Sequence, residues 1–171
     1  MRWIPAYVGL GGNLDGPRER IGRAFEALAA LPGTRLVSRS RFYGSKPFGP
    51  VPQPDYVNAA AGLLTMLDAE ALFQALRALE PRLGREPPRE RWGPRAIDLD
   101  LLVFGAEQCS GEALTLPHPG RVERNFVLYP LLDIAPELVI PGQGRVRELA
   151  ARVAPEGIWL LEQDTEASRR A

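Results

Sequence analysis

Only one cysteine, Cys109, and one histidine, His118, occur in the 171 residues. A single thiol excludes an internal disulfide and any cysteine-based zinc site. A single imidazole excludes a cluster of histidine ligands. Lysine is almost missing too: of 21 basic residues, all but Lys46 are arginine. No apolar run approaches the roughly 18 residues that a membrane span requires. The first apolar stretch, Trp3 to Leu10, is broken by Pro5 and followed by no small-residue cleavage site, so no secretory signal is expected. The 21 basic residues balance 21 acidic ones. Bulk electrostatic binding to nucleic acid or to a membrane is therefore not expected, although a local basic patch remains open. These absences fit a reduced, cytoplasmic setting and a chain without nucleic-acid or membrane partners.

A hydrophobic content of 45% and a charged content of 25% belong to an ordinary globular chain. Its length suits one domain, expected over residues 1–163, with a polar tail over 164–171. Ala6 to Leu10 reads as a strand and Gly11-Gly12-Asn13 as a turn. A helix then starts with Pro17 at or near its first position, capped by Asp15 or Gly16, and ends at Pro32-Gly33. Thr34 to Phe42 reads as a second strand, the proline-rich Gly44 to Asp55 as a loop, and Tyr56 to Thr65 as a third strand. Asp68 caps a second helix, which Pro81 should kink or end near Glu80. Ile97 to Phe104 is the fourth strand. Beyond it come short extended pieces at Leu114 to Leu116 and Leu138 to Ile140, and helices at Arg124 to Leu132 and Val146 to Arg152. The order is that of an α+β, ferredoxin-like βαββαβ core with an antiparallel sheet. Helices cover one face, and the later helices are free to cover the other, giving a three-layer αβα sandwich.

The most informative stretch is Arg91-Trp92-Gly93-Pro94-Arg95-Ala96-Ile97-Asp98-Leu99-Asp100 with the aliphatics after it. Strand side chains alternate, so Asp98 and Asp100 share a face, their Cα atoms about 6–7 Å apart. Carboxylates that close repel unless a cation neutralises them. Hard oxygen ligands beside arginines point to Mg²⁺ with a phosphorylated substrate. Paired acids also mark solvated faces, but Leu102 and Phe104 continue this face as apolar residues. Arg77, Arg82, Arg85, Arg89, Arg91 and Arg95 crowd the preceding stretch, where guanidinium forks suit phosphate. A solvated loop with surface ion pairs is the plainer alternative. Gly9-Leu10-Gly11-Gly12 lacks both a third fingerprint glycine and a P-loop lysine, so a tight strand-to-helix turn is its expected use. Tyr56 and Asn58 share a strand face. There a flat ring could stack on the phenol while the amide offers a donor and an acceptor, unless both simply pack in the core.

Taken with Phe42-Tyr43-Gly44-Ser45-Lys46-Pro47-Phe48-Gly49, Gln53-Pro54-Asp55-Tyr56-Val57-Asn58-Ala59, Leu116-Pro117-His118-Pro119 and Ile134-Ala135-Pro136-Glu137-Leu138, the Asp-x-Asp stretch resembles the 6-hydroxymethyl-7,8-dihydropterin pyrophosphokinases of folate biosynthesis. The likeness spans about residues 6–141, with its motifs in order. The resemblance implies transfer of pyrophosphate from ATP to the pterin hydroxymethyl oxygen, leaving AMP, by a monomeric enzyme. It implies Asp98 and Asp100 as ligands of two Mg²⁺ ions, and Arg85 and Arg95 as catalytic contacts to the phosphates. Glu80, Leu101, Thr115, His118 and Arg124 would join them on the nucleotide. Tyr56 and Phe126 would sandwich the pterin, with Ser45, Phe48 and Asn58 at its edge and Trp92 closing over it. The chain departs from the family pattern at Gly12, where serine is common, and at Pro87 and Pro88, which imply a stiffer lid. It departs again at Pro119, where an aromatic is common. Two rival classes are a glycosyl- or nucleotidyltransferase, which also uses Asp-x-Asp, and an RNA-binding ferredoxin-like module. The first usually needs a larger nucleotide domain; the second needs an open, aromatic, basic sheet face.

Overall fold

A computed structural model describes residues 2–47, 49–87 and 93–161. The central sheet starts with β1 (Ile4–Gly12), followed by helix α1 (Pro17–Ala29), β2 (Thr34–Arg39), β3 (Tyr43–Ser45), β4 (Tyr56–Thr65), α2 (Ala69–Arg82) and β5 (Asp98–Phe104). Two small hairpins, β6 (Cys109–Ser110) with β7 (Thr115–Leu116) and β8 (Val139–Ile140) with β9 (Gly144–Arg145), flank helix α3 (Asn125–Ile134). Helix α4 (Val146–Arg152) and β10 (Ile158–Leu160) complete the chain.

The sheet runs β10-β3-β4-β1-β5, with β2 also paired to β4, and every pairing is antiparallel. With β3 and β10 set aside, this is the split βαβ order expected from the element sequence. One face packs Val8, Leu10, Leu63 and Leu101 against Ile21, Phe25 and Leu28 of α1 and Leu72 and Leu76 of α2. The other packs Ala60, Leu102 and Val103 against Val127, Leu128 and Leu131 of α3 and Val146 of α4. The result is the three-layer αβα sandwich. Helices pack against both sheet faces, which does not favour the RNA-binding alternative.

Four local expectations are corrected. The second strand stops at Arg39 rather than Phe42. The Ser40 hydroxyl accepts from the Ala60 amide at 2.8 Å, and the chain restarts as β3. Three residues are too few for a period to show, and β3 exists because the long β4 offers it an edge. Helix α2 runs through Pro81 to Arg82. A proline in the last turn forfeits little hydrogen bonding beyond its own missing N–H. The glycines at 11 and 12 lie inside β1, and the turn follows at Asp15 and Gly16, both left-handed (φ 49° and 68°). Finally, a register shift opposite Tyr7 and Val8 skips Leu102. Leu102 and Val103 then face α3, and Phe104 returns to the opposite core. The apolar continuation of the aspartate face is therefore Leu102 and Val103, not Leu102 and Phe104.

No helix among the described residues is long and apolar enough to cross a membrane. Phe48, Trp92 and the tail at 164–171 lie outside the described residues, as do Pro88, Arg89 and Arg91 of the arginine-rich loop.

Candidate active site

Strand register builds the floor of the site. Asn58 of β4 pairs with Gly11 of β1, and Gly11 pairs with Asp98 of β5. One step along, Ala60, Gly9 and Asp100 form the next row. On this face β1 presents two glycines, so nothing rises between the amide of Asn58 and the two carboxylates. A Cβ on Gly11 would lie 3.3 Å from Asn58 Oδ1. The glycines thus serve a shallow trough rather than the turn expected of them. Farther along the sheet the same face disappears under α3.

Asp98 is 8% exposed and accepts three cations. Arg85 Nη1 donates to its Oδ1 at 2.6 Å and Arg95 Nη1 to its Oδ2 at 2.8 Å, with Arg121 Nη2 at 3.6 Å. Asp100 meets Arg121 Nε at 3.2 Å and His118 Nε2 at 3.7 Å. Loss of solvent raises the Asp100 pKa above the ordinary carboxylate value; Arg121 opposes that and the charge of Asp98 adds to it. For Arg95, burial works against the charged form, but Asp98 outweighs it and the guanidinium pKa is raised.

Glu80 looks inward. Its Oε2 accepts from Arg85 Nη1 at 2.5 Å and from the Leu99 amide at 3.1 Å, so it fixes Arg85 and ties α2 to β5. Burial raises its pKa, which Arg85 counters. Arg95 is held by its backbone: its N–H donates to Asn13 Oδ1 and its carbonyl accepts from the Asn13 N–H, both at 3.0 Å. Gly12 allows this approach. A Cβ there would sit 2.3 Å from the Ala96 carbonyl oxygen, so the close approach calls for glycine.

A cavity of about 320 Å³ opens above the trough. Asp98, Asp100, Arg95, His118 and Arg124 line it together with Tyr56, Asn58, Ser45 and Phe126. Burial raises the Tyr56 phenol, with Arg95 opposing, so it stays neutral and available for stacking. The Asn58 amide nitrogen donates to Ser45 Oγ at 2.8 Å and lies 3.4 Å from the Tyr43 carbonyl. Its oxygen is left as the group turned toward the trough. Behind Ser45, β10 pairs with β3, and Asn125 Nδ2 donates to the carbonyls of Ala154 and Glu156 at 2.9 and 3.0 Å. The C-terminal strand thereby braces this wall.

Of the residues singled out in the sequence, the fold gathers Ser45, Tyr56, Asn58, Arg95, Asp98, Asp100, His118, Arg124 and Phe126 around one cavity, with Arg85 reaching it through Asp98. It does not bring three others to the lining. Glu80 is committed inward, and Leu101 keeps its side chain in the core at 2% exposure. Thr115, on β7, has its hydroxyl 3.3 Å from the Gly111 carbonyl. The sequence reading missed Arg121, Lys46 and Asn13. Arg121 stands three residues before Arg124, and a search for every cation near His118 would have found it.

The carboxylate pair suits a divalent cation chemically. Mg²⁺ takes one or two protein carboxylates and fills its octahedron with water and phosphate oxygens. Both carboxylates line the cavity and lie beside positive groups already. No group of three or more histidine, cysteine or acidic side chains converges among the described residues, so water or substrate oxygens would fill most of the shell of a metal here.

Comparison with known proteins agrees with this geometry. The family model described as 7,8-dihydro-6-hydroxymethylpterin-pyrophosphokinase (HPPK) matches residues 7–136. A Pseudomonas aeruginosa protein named 2-amino-4-hydroxy-6-hydroxymethyldihydropteridine pyrophosphokinase is 47% identical, over 91% of this chain and 95% of its own. The Haemophilus influenzae protein of the same name is 44% identical, over 88% of this chain and 94% of its own. Among solved structures, wild-type Plasmodium falciparum HPPK-DHPS with pteroate superimposes with a TM-score of 0.71 at 12% identity. The alignment covers 88% of this chain and 44% of that one, so this chain spans under half its length; the likeness is one of fold. On the family match and the near-complete alignment with its bacterial relatives, the chain belongs to the 7,8-dihydro-6-hydroxymethylpterin-pyrophosphokinase family.

Proposed function

We propose that the cavity transfers pyrophosphate from ATP to the hydroxymethyl oxygen of 6-hydroxymethyl-7,8-dihydropterin, a step of folate biosynthesis. One observation carries the reading. A cleft walled by Tyr56 and Phe126, with an amide at its edge, opens directly onto two carboxylates ringed by arginines. That pairing suits a molecule with a flat polar ring beside a polyphosphate.

The pterin ring lies between Tyr56 and Phe126, its edge donors directed at Asn58 Oδ1 and the Ser45 segment. The triphosphate lies along Arg85, Arg95 and Arg124, whose forks take phosphate oxygens in pairs. His118 borders the nucleotide. Asp98 and Asp100 would hold two Mg²⁺ ions, which when bound would supply charge neutralisation for the transfer. The hydroxymethyl oxygen bonds to the β-phosphorus as the bond to the α–β bridging oxygen breaks, AMP leaves, and the hydroxyl proton passes to solvent. The arginines offset charge that spreads over the transferring group, and the cleft aligns the oxygen with the phosphorus. Action as a monomer is part of this proposal. Two small polar substrates and one unpaired thiol support a cytoplasmic location.

The test is direct. The protein is mixed with Mg²⁺, ATP and 6-hydroxymethyl-7,8-dihydropterin, and products are separated by anion exchange. AMP and the pterin diphosphate should form in equal amounts. ADP would indicate single-phosphate transfer, and absence of pterin-dependent turnover would sink the assignment.

A further inference from the structure

We infer that Arg121 is an exchangeable counter-ion: it keeps free divalent cations off Asp98 and Asp100 and releases the pair only when a polyphosphate arrives to take its guanidinium. The inference rests on the metal and triphosphate reading above and adds to it the order in which charge enters the site.

Arg121 is the one arginine among the described residues seen to reach both carboxylates, with Nε 3.2 Å from Asp100 Oδ2 and Nη2 3.6 Å from Asp98 Oδ2. The other arginines on Asp98 are anchored behind it. Arg85 is clasped by Glu80, and Arg95 is pinned through its backbone to Asn13. Arg121 instead rests against a ring, its guanidinium 5.9 Å from the centroid of Phe126. It stands in the loop after Gly120, which has φ 75° and no atom within 4 Å of a Cβ position, and its side chain is about one-third exposed. A side chain placed so can swing without disturbing β5. Asp100 depends on it most, because the other basic side chain beside it, the His118 imidazole, is 3.7 Å away.

A guanidinium and a divalent cation cannot share two carboxylates without strong like-charge repulsion. A cation arriving alone must therefore expel Arg121 into solvent and lose its ion pairs. A cation arriving with a triphosphate brings oxygens that receive the same planar fork. The guanidinium thus couples metal entry to nucleotide entry, and such coupling acts equally in both directions.

The experiment measures Mn²⁺ binding to the intact protein by electron paramagnetic resonance, without nucleotide or pterin. Arg121→Gln should bind Mn²⁺ about tenfold more tightly than the parent, as expected when one charge-assisted competitor is removed. Arg121→Lys, which keeps a charge but loses the fork, should also bind more tightly, by a smaller factor. Asp100→Asn should weaken binding in both the parent and the Arg121→Gln background. Unchanged, weaker or undetectable Mn²⁺ binding by both Arg121 variants, with Asp100→Asn still weakening the parent, would overturn the role of Arg121 and leave the metal pair standing. Binding indifferent to Asp100→Asn would overturn the metal reading and this inference together.

Discussion

Asn13 and Arg95, 82 positions apart, are joined by a reciprocal pair of hydrogen bonds, each 3.0 Å long. The Asn13 side chain has further work: its amide nitrogen donates to Gln53 Oε1 and to the Pro54 carbonyl, both at 2.9 Å. One buried side chain thus joins the end of β1, the approach to β5 and the loop before β4. The second of these carries Arg95 and leads into the aspartates, and the third leads into Tyr56.

Asn13→Ala should therefore affect both stability and rate. It leaves the Arg95 N–H without its partner in a partly buried place, while the carbonyl of the exposed Pro54 can turn to water. An unsatisfied buried group costs about 1–3 kcal/mol, so urea unfolding should show a loss of about 1–2 kcal/mol. The turnover number should fall with it, because Arg95 loses its backbone anchor. A stable variant with normal turnover would show that the junction is not structural.

Gly12→Ser, which installs the residue common in the family, should destabilise this chain. Its Cβ would meet the Ala96 carbonyl oxygen at 2.3 Å. Overpacking of this kind costs about 1–3 kcal/mol. Thermal unfolding should report a lower melting temperature, and the KM for ATP should rise as Arg95 shifts. An unchanged melting temperature would mean that β1 and the 95–96 segment can separate freely.

Asp98→Ala and Asp100→Ala should fold and lose at least about a hundredfold in turnover, given the several kcal/mol that charge stabilisation contributes to such transfers. Circular dichroism checks the fold and AMP release checks the rate. Near-normal rates in both variants would rule out the metal role.

Ser45→Ala removes the acceptor that orients the Asn58 amide at 2.8 Å. The amide can then rotate, so the acceptor it presents to the pterin edge is no longer fixed. The KM for the pterin should rise several-fold while the KM for ATP stays constant. An equal rise in both would place Ser45 in general support of the cavity.

Stability at the pH extremes should follow the Asp133 cluster. Asp133 accepts from Tyr43 Oη and Arg41 Nη2, each at 2.8 Å, which ties β3 to α3. Burial works against its charge, yet the bonds from Arg41 and Tyr43 hold its carboxyl below the ordinary value of 3.8. A depressed carboxyl stabilises the fold above its unfolded value and loses that contribution as pH falls below about 4. Tyr43 moves the other way. Burial, and then its bond to Asp133, push its phenol from 10.0 up to about 12. Its contribution is complete below pH 10 and is lost as pH rises toward 12. Asp133→Asn should be less stable than the parent at pH 7, and the gap in melting temperature should narrow at pH 3. A gap independent of pH would exclude the ionised carboxylate as its source.

Much of the molecule was legible in the order of residues. The helices at 17–29, 69–82 and 146–152 follow from apolar spacing, from Pro17 and from the Asp68 cap, whose side chain accepts from Ala71 N–H at 2.8 Å. The four main strands follow from runs of apolar residues bounded by glycine and proline. Together these elements determine the βαββαβ core. The Asp-x-Asp face and the arginines before it are also local: alternation along one strand decides where Asp98 and Asp100 point.

What the sequence could not show depends on partners distant along the chain. Strands β3 and β10 have only three residues each and form because β4 extends past β2. Gly9 and Gly11 look like a turn until register sets them between Asn58 and the aspartates. Glu80, which the resemblance puts on the nucleotide, is turned inward because α2 packs its carboxylate against Arg85 and the Leu99 amide. Arg121 reads as a loop residue and lands across both carboxylates. Local spacing determines which elements form, because periodicity acts over a few residues. The meeting of Asn58, Gly11 and Asp98 in one row is decided by strand order, which only the packed core selects.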